Sequence, residues 1–134
     1  MSVFTPVLAE ADLVAAIAAA VPETTLGEVQ MAATVTEVSI VSEAALTAAD
    51  ATARTLTLFN RGQAGVGTTV VATLVTNLAG GSWVANDEKL FTLSATPANL
   101  VVAQGDVLEV VETVASTGTA RGTAKVVVRG TRNS

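Results

Sequence analysis

From Leu26 onward, apolar and polar positions alternate with a period of two, which is the signature of strands with one buried face. In RTLTLFN, residues 54–60, Leu56 and Leu58 fall on one face, and Thr55, Thr57 and Phe59 on the other. MAATVTEVSIVS, residues 31–42, alternates around Val35, Val38 and Ile40, and its phase slips once near Glu37, predicting a bulge or a register change. RGQAGVG, residues 61–67, holds three glycines in seven residues and predicts a loop joining antiparallel strands, with TTVVATLVT, residues 68–76, as the return strand. Further strands are predicted at LFTLS (90–94), 99–102, 107–114 and 124–129. Turns are predicted at NLAGGS (77–82), at NDEK (86–89) and at Gln104-Gly105-Asp106, a loop or short helical turn at 44–53, and a flexible loop at 115–123. Seven or eight strands, 8–15 residues apart with no helix between them, predict an all-β fold: an antiparallel β-sandwich or jelly roll.

The first 25 residues read differently. Residues 10–21, EADLVAAIAAAV, are rich in the best helix former, carry Glu10 and Asp12 where the dipole of a helix N-terminus favours acids, and stop at Pro22. This predicts a short helix with almost no polar face after Asp12. At roughly 12 residues such a helix is marginal alone in water, so it packs either on its own β domain or on a neighbouring subunit or other protein. The predicted layout is an N-terminal arm with a short helix (1–25), a β-sandwich domain (26–130) and a tail (131–134).

Composition narrows the chemistry. The 134 residues contain no cysteine and no histidine, which excludes disulfides, a thiolate nucleophile, an imidazole base and a Cys/His zinc site. Half the residues are apolar, mostly Ala and Val, and only 3% are aromatic. GQAGVG, residues 62–67, lacks the following Lys-Ser/Thr and helix of a phosphate loop and reads as a hairpin loop. Asn86-Asp87-Glu88 and Asp106/Glu109 lack the spacing of a calcium loop, and such side chains in turns bond their own backbone. Glu109 and Glu112, three apart on a strand, point to opposite faces, so no catalytic carboxylate pair is placed. Trp83 reads as a core or interface anchor rather than a sugar platform. The 20 threonines suit either a solvated sheet face or polar contacts between subunits. No metal or cofactor is expected.

Charge is distributed unevenly along a chain of net charge −5. Residues 1–50 carry Glu10, Asp12, Glu23, Glu28, Glu37, Glu43 and Asp50 with no Lys or Arg, whereas residues 121–134 carry Arg121, Lys125, Arg129 and Arg132 with no acid. This reads either as chance with a solvated tail, or as complementarity between neighbouring copies or toward an acidic partner. An acidic chain without basic-aromatic interleaving argues against nucleic-acid binding. The uncharged run 13–21 is shorter than the roughly 20 residues of a membrane span, and no positive charge precedes it as in a signal peptide, so a protein made in a cytoplasm is expected.

Three segments, RTLTLFNRGQAGVGTTVVATL (54–74), ANDEKLFTLS (85–94) and NLVVAQGDVLEVVETVASTG (99–118), in this order and spacing resemble small β-sandwich proteins of tailed phages described as head decoration, minor capsid or head-fibre proteins. The resemblance implies a non-enzymatic protein on the outside of a virion shell, a homotrimer bound to the major capsid protein and reinforcing it. It transfers no binding motif. The expected contacts come from the residues outside it: Phe4, Val7, Leu13 and Ile17 on the arm, with Arg129 and Arg132 against an acidic neighbour. A fibre, spike or tail-associated module is the structural alternative. A carbohydrate-binding module, which requires an exposed Trp83, is the alternative of another class.

Overall fold

The computed structural model describes residues 5–133; Phe4 lies outside the described residues. The strands are β1 (Val7–Leu13), β2 (Glu23–Glu28), β3 (Ala33–Ser42), β4 (Arg54–Asn60), β5 (Thr69–Val75), β6 (Glu88–Leu90), β7 (Thr92–Leu93), β8 (Val101–Val102), β9 (Val107–Val114) and β10 (Ala124–Arg132). All pair antiparallel in two sheets, ordered β1-β10-β3-β6, with β8 also on β3, and β2-β9-β4-β5-β7. The pairs are nested: β4 with β5 innermost, then β3 with β6 and β8, then β2 with β9, and β1 with β10 outermost. A long hairpin folded over on itself in this way is a jelly roll.

The core lies between the sheets, where the alternation of each strand delivers one face. Leu8, Leu13, Val35, Val38, Ile40, Val126 and Val128 pack from one side, and Leu56, Leu58, Val71, Leu108 and Val110 from the other. The phase slip near Glu37 is a bulge: Arg129 pairs Glu37 and Gly130 pairs Val35, leaving Thr36 as the extra residue. Gly130 is required there, because a Cβ would run into the Thr34 carbonyl oxygen and the Leu8 side chain. The far edge is blunted, because residues 88–102 run down it in three short pieces, β6, β7 and β8, that switch between the sheets.

The N-terminal expectation is corrected. Residues 10–21 are not a helix and residues 7–25 are not a detached arm: β1 and β2 are integral strands of the two sheets. Alanine propensity loses to pairing, because β1 buries Leu8, Ala9 and Leu13 while projecting Glu10 and Asp12 outward. The sandwich therefore begins well before residue 26. At the other terminus β10 runs through Arg132, so residues 131 and 132 belong to a strand and not to a tail. The strand expected at 99–102 is a 3-10 turn, Pro97–Leu100, followed by the two residues of β8.

Leu13 is fully buried and Ile17 is 76% exposed. Leu13→Ala is expected to cost about 2–5 kcal/mol of unfolding free energy, and Ile17→Ala to stay within about 0.5 kcal/mol, read by urea denaturation.

Candidate functional site

The register places connections 14–22, 43–53, 76–87 and 115–123 at one end of the sandwich. At this end the inner faces of β4 and β9 stop being apolar. Arg54 continues the buried stripe of Leu56 and Leu58 on β4, and Glu112 continues that of Leu108 and Val110 on β9. Both side chains are fully buried, as is that of Arg121 from the 115–123 connection.

The three form one network. Glu112 Oε1 accepts from Arg54 Nη1 at 3.2 Å and from Arg121 Nε at 2.6 Å, while Oε2 accepts from Arg121 Nη2 at 2.5 Å. Two guanidinium groups share one carboxylate, leaving an excess positive charge that backbone carbonyls absorb. Arg54 donates to Thr119 O (2.9 Å), Ala20 O (2.8 Å), Ile17 O (3.1 Å) and Ala18 O (3.3 Å). Arg121 donates to Val14 O (2.7 Å) and Gly122 O (3.0 Å). Burial pushes the Arg54 guanidinium below the usual arginine value; Glu112 opposes that shift and Arg121 adds to it. Among the described residues no buried side-chain polar atom lacks a partner.

This network explains the outer surface of segment 14–22. Carbonyls of Val14, Ile17, Ala18 and Ala20 turn inward to the arginines, so Val14, Ile17 and Val21 turn outward, 71%, 76% and 52% exposed. A helix over 10–21 would have used the Val14 and Ile17 carbonyls itself, for the amides of Ala18 and Val21. The segment is fixed further by the paired bonds between Ala16 and Arg121, 3.0 Å each way. Gly118, at φ +78°, sits so close beneath it that a Cβ would collide with the Ala18 carbonyl oxygen. The result is an apolar ridge on a backbone with no freedom to withdraw it. Segment 13–22 and its neighbour 115–120 carry no charged residue.

The sequence-predicted contacts do not form one surface. Val7 lies beside Arg129, its cross-strand partner, and Arg132 follows three residues on at the end that holds both termini. Ile17 lies at the opposite end, past the length of β1, about 20 Å away. Leu13 is core and makes no outward contact. Arg129 donates to Thr5 O at 3.4 Å and faces Glu37 across β10 and β3; Arg132 is exposed.

The uneven charge has an intramolecular reading. β10, with Lys125 and Arg129, lies between acidic β1 and β3, so Glu10 pairs with Lys125 at 3.5 Å and Glu37 stands opposite Arg129. Arg121 is spent inside on Glu112.

The remaining candidates are built into turns or core. Trp83 is 6% exposed, and its Nε1 donates to Ala44 O at 3.1 Å, so the exposed platform that a carbohydrate reading requires is absent. Asp106 Oδ2 accepts from Asn60 Nδ2 and Ala103 N, both at 2.9 Å; Glu109 pairs with Arg61 at 2.8 Å; Asp87 accepts from Glu88 N. The glycine-rich loop joins β4 to β5, and Arg61 closes it by bonding Gly67 O and lying 4.4 Å from the Phe59 ring centre. A cleft of about 330 Å³ lies beside β5, lined by Thr73, Asn77, Gly80, Lys89, Leu90 and Thr92, and the Lys89 ammonium in it donates to Gly80 O.

Sequence reasoning missed the Arg54–Glu112–Arg121 network, although part of its signal was present. Arg54-x-Leu56-x-Leu58 and Leu108-x-Val110-x-Glu112 put opposite charges in phase with core residues on two strands. No family model, curated protein or solved structure matches this chain.

Glu112→Gln leaves two buried guanidinium groups sharing a neutral amide, and is expected to cost about 3–5 kcal/mol in denaturant titration. Gly118→Ala is expected to cost about 1–3 kcal/mol and to abolish hydrogen-exchange protection at the Ala16 and Arg121 amides, which bond each other's carbonyls across the two connections.

Proposed function

We propose that this chain is a structural protein that decorates the outside of a tailed-phage head, binding the major capsid protein and stabilising the shell. The three segments that carry the resemblance to decoration and head-fibre proteins fold together, and this observation carries the reading. They supply β4, β5, β7 and β9, four neighbouring strands of one sheet, and the short β6 and β8 at the edge of the other, so the segments lie together in one part of the sandwich.

Two features support a binding role over a catalytic one. The chain has neither cysteine nor histidine, and Glu112, its fully buried carboxylate, is saturated by arginines. The end bearing the termini offers Val7 at 39% exposure beside Arg129 and Arg132, an apolar and basic combination suited to an acidic protein surface. Repetition over a lattice converts weak individual contacts into firm attachment through avidity.

The test is co-sedimentation of the purified chain with heads of the encoding virus that lack it. The wild type is expected to saturate the heads and raise their melting temperature. Arg129→Glu with Arg132→Glu is expected to lower apparent affinity roughly tenfold or more. Labelling confined to a vertex or the tail would instead favour a fibre or tail module. Heads that take up no protein would sink the shell reading.

A further inference from the structure

We propose that Lys89 locks an open strand position: its contact with Gly80 keeps the common edge of the two sheets from accepting a further strand. The inference rests on no part of the shell reading.

The edge is open on both sheets at the same height. Phe91 N donates to Val38 O at 2.8 Å, so the alternation of an antiparallel ladder makes Ile40–Lys89 the next bonded pair and turns the backbone groups of Glu88 and Leu90 away from β3. Thr76 N donates to Arg54 O at 2.9 Å, which in the same way turns the backbone groups of Val75 away from β4. On that side β7 covers β5 only at Ala72 and Thr73, because the chain crosses to the other sheet at Phe91. The strand position left beside Val75 and Leu90 is the cleft of about 330 Å³. Such an edge is a template for strand addition, and Leu90, 53% exposed, adds apolar surface to it.

Lys89 stands in that position. It is in phase with Phe91 and opposite Ile40, both core residues, so it points between the sheets, while Glu88 and Leu90 point outward. No carboxylate lines the cleft among the described residues, and the Lys89 ammonium donates to Gly80 O. Gly80 belongs to the turn that Gly81 N closes on Asn77 O at 2.9 Å, and Gly81 lies against the Val75 carbonyl oxygen, where a Cβ would collide with it. One side chain therefore holds this turn over the β5 edge and places a charge where an added strand would run. A strand entering there would break the Lys89–Gly80 bond and take the ammonium out of water with no carboxylate to pair it, which disfavours entry. An inward-pointing charge on an edge strand blocks edge-to-edge pairing in this way.

The test is hydrogen exchange and light scattering of the full chain and its variants. In the wild type the Val75 and Leu90 amides are expected to exchange at least about tenfold faster than those of Thr76 and Phe91, which bond Arg54 O and Val38 O. Equal protection of all four overturns the proposal. Lys89→Leu is expected to grow in mass with concentration beyond the wild type, with an unchanged circular dichroism spectrum and slowed exchange at Val75 and Leu90. Lys89→Arg, which keeps the charge, is expected to stay at the wild-type mass. Lys89→Leu combined with Leu90→Pro is expected to return to it, since proline removes an edge amide that β3 does not use. A Lys89→Leu chain that stays at the wild-type mass, a Lys89→Arg chain that associates equally, or association that survives Leu90→Pro overturns it. Should Lys89→Leu fail to fold, Lys89→Met takes its place with the same outcomes.

Discussion

Two arginines that share one carboxylate beneath the loop end are the constraint on which the molecule's surface chemistry depends. A guanidinium taken out of water must be paired and fully hydrogen-bonded. Glu112 satisfies only part of Arg54 and Arg121, so six carbonyls from the surrounding connections complete them. That demand sets the path of 14–22, denies it a helix, and turns its apolar side chains to solvent. On β4 and β9 the apolar stripe ends at Leu56 and Val110, and an ion network continues it toward the end of the sandwich.

The nested hairpin explains the uneven charge of the chain. The first and last strands are neighbours in a jelly roll, so acids near the N-terminus stand beside bases near the C-terminus. Exposed pairs such as Glu10–Lys125 contribute little each, about 0–1 kcal/mol. Their arrangement still favours β10 between β1 and β3, since like charges directly opposite one another destabilise a sheet.

Most of the fold was legible. β3, β4, β5, β9 and β10 each bury one face, so period two is written directly into their residues, and the slip near Glu37 marks a real bulge at Thr36. The 10–21 segment was misread as a helix because local propensity is a weak prior, and nothing local shows that its first residues pair with a distant strand or that its later carbonyls are needed elsewhere. Leu13, expected at a contact surface, belongs to the core for the same reason: β1 pairs with a strand more than a hundred residues away. Trp83 was placed correctly as an anchor, because a lone tryptophan in an aromatic-poor chain has most to gain from burial.

The amino-acid sequence alone determined that the chain is an all-β sandwich without cysteine or histidine chemistry, because composition and alternation act residue by residue. Only the tertiary structure decided that Arg54, Glu112 and Arg121 converge, that the acidic and basic ends cancel within one sheet, and that Ile17 is exposed while Leu13 is not. Each of these depends on which distant strands become neighbours, and strand pairing is a property of the whole folded hairpin that no local window of residues contains.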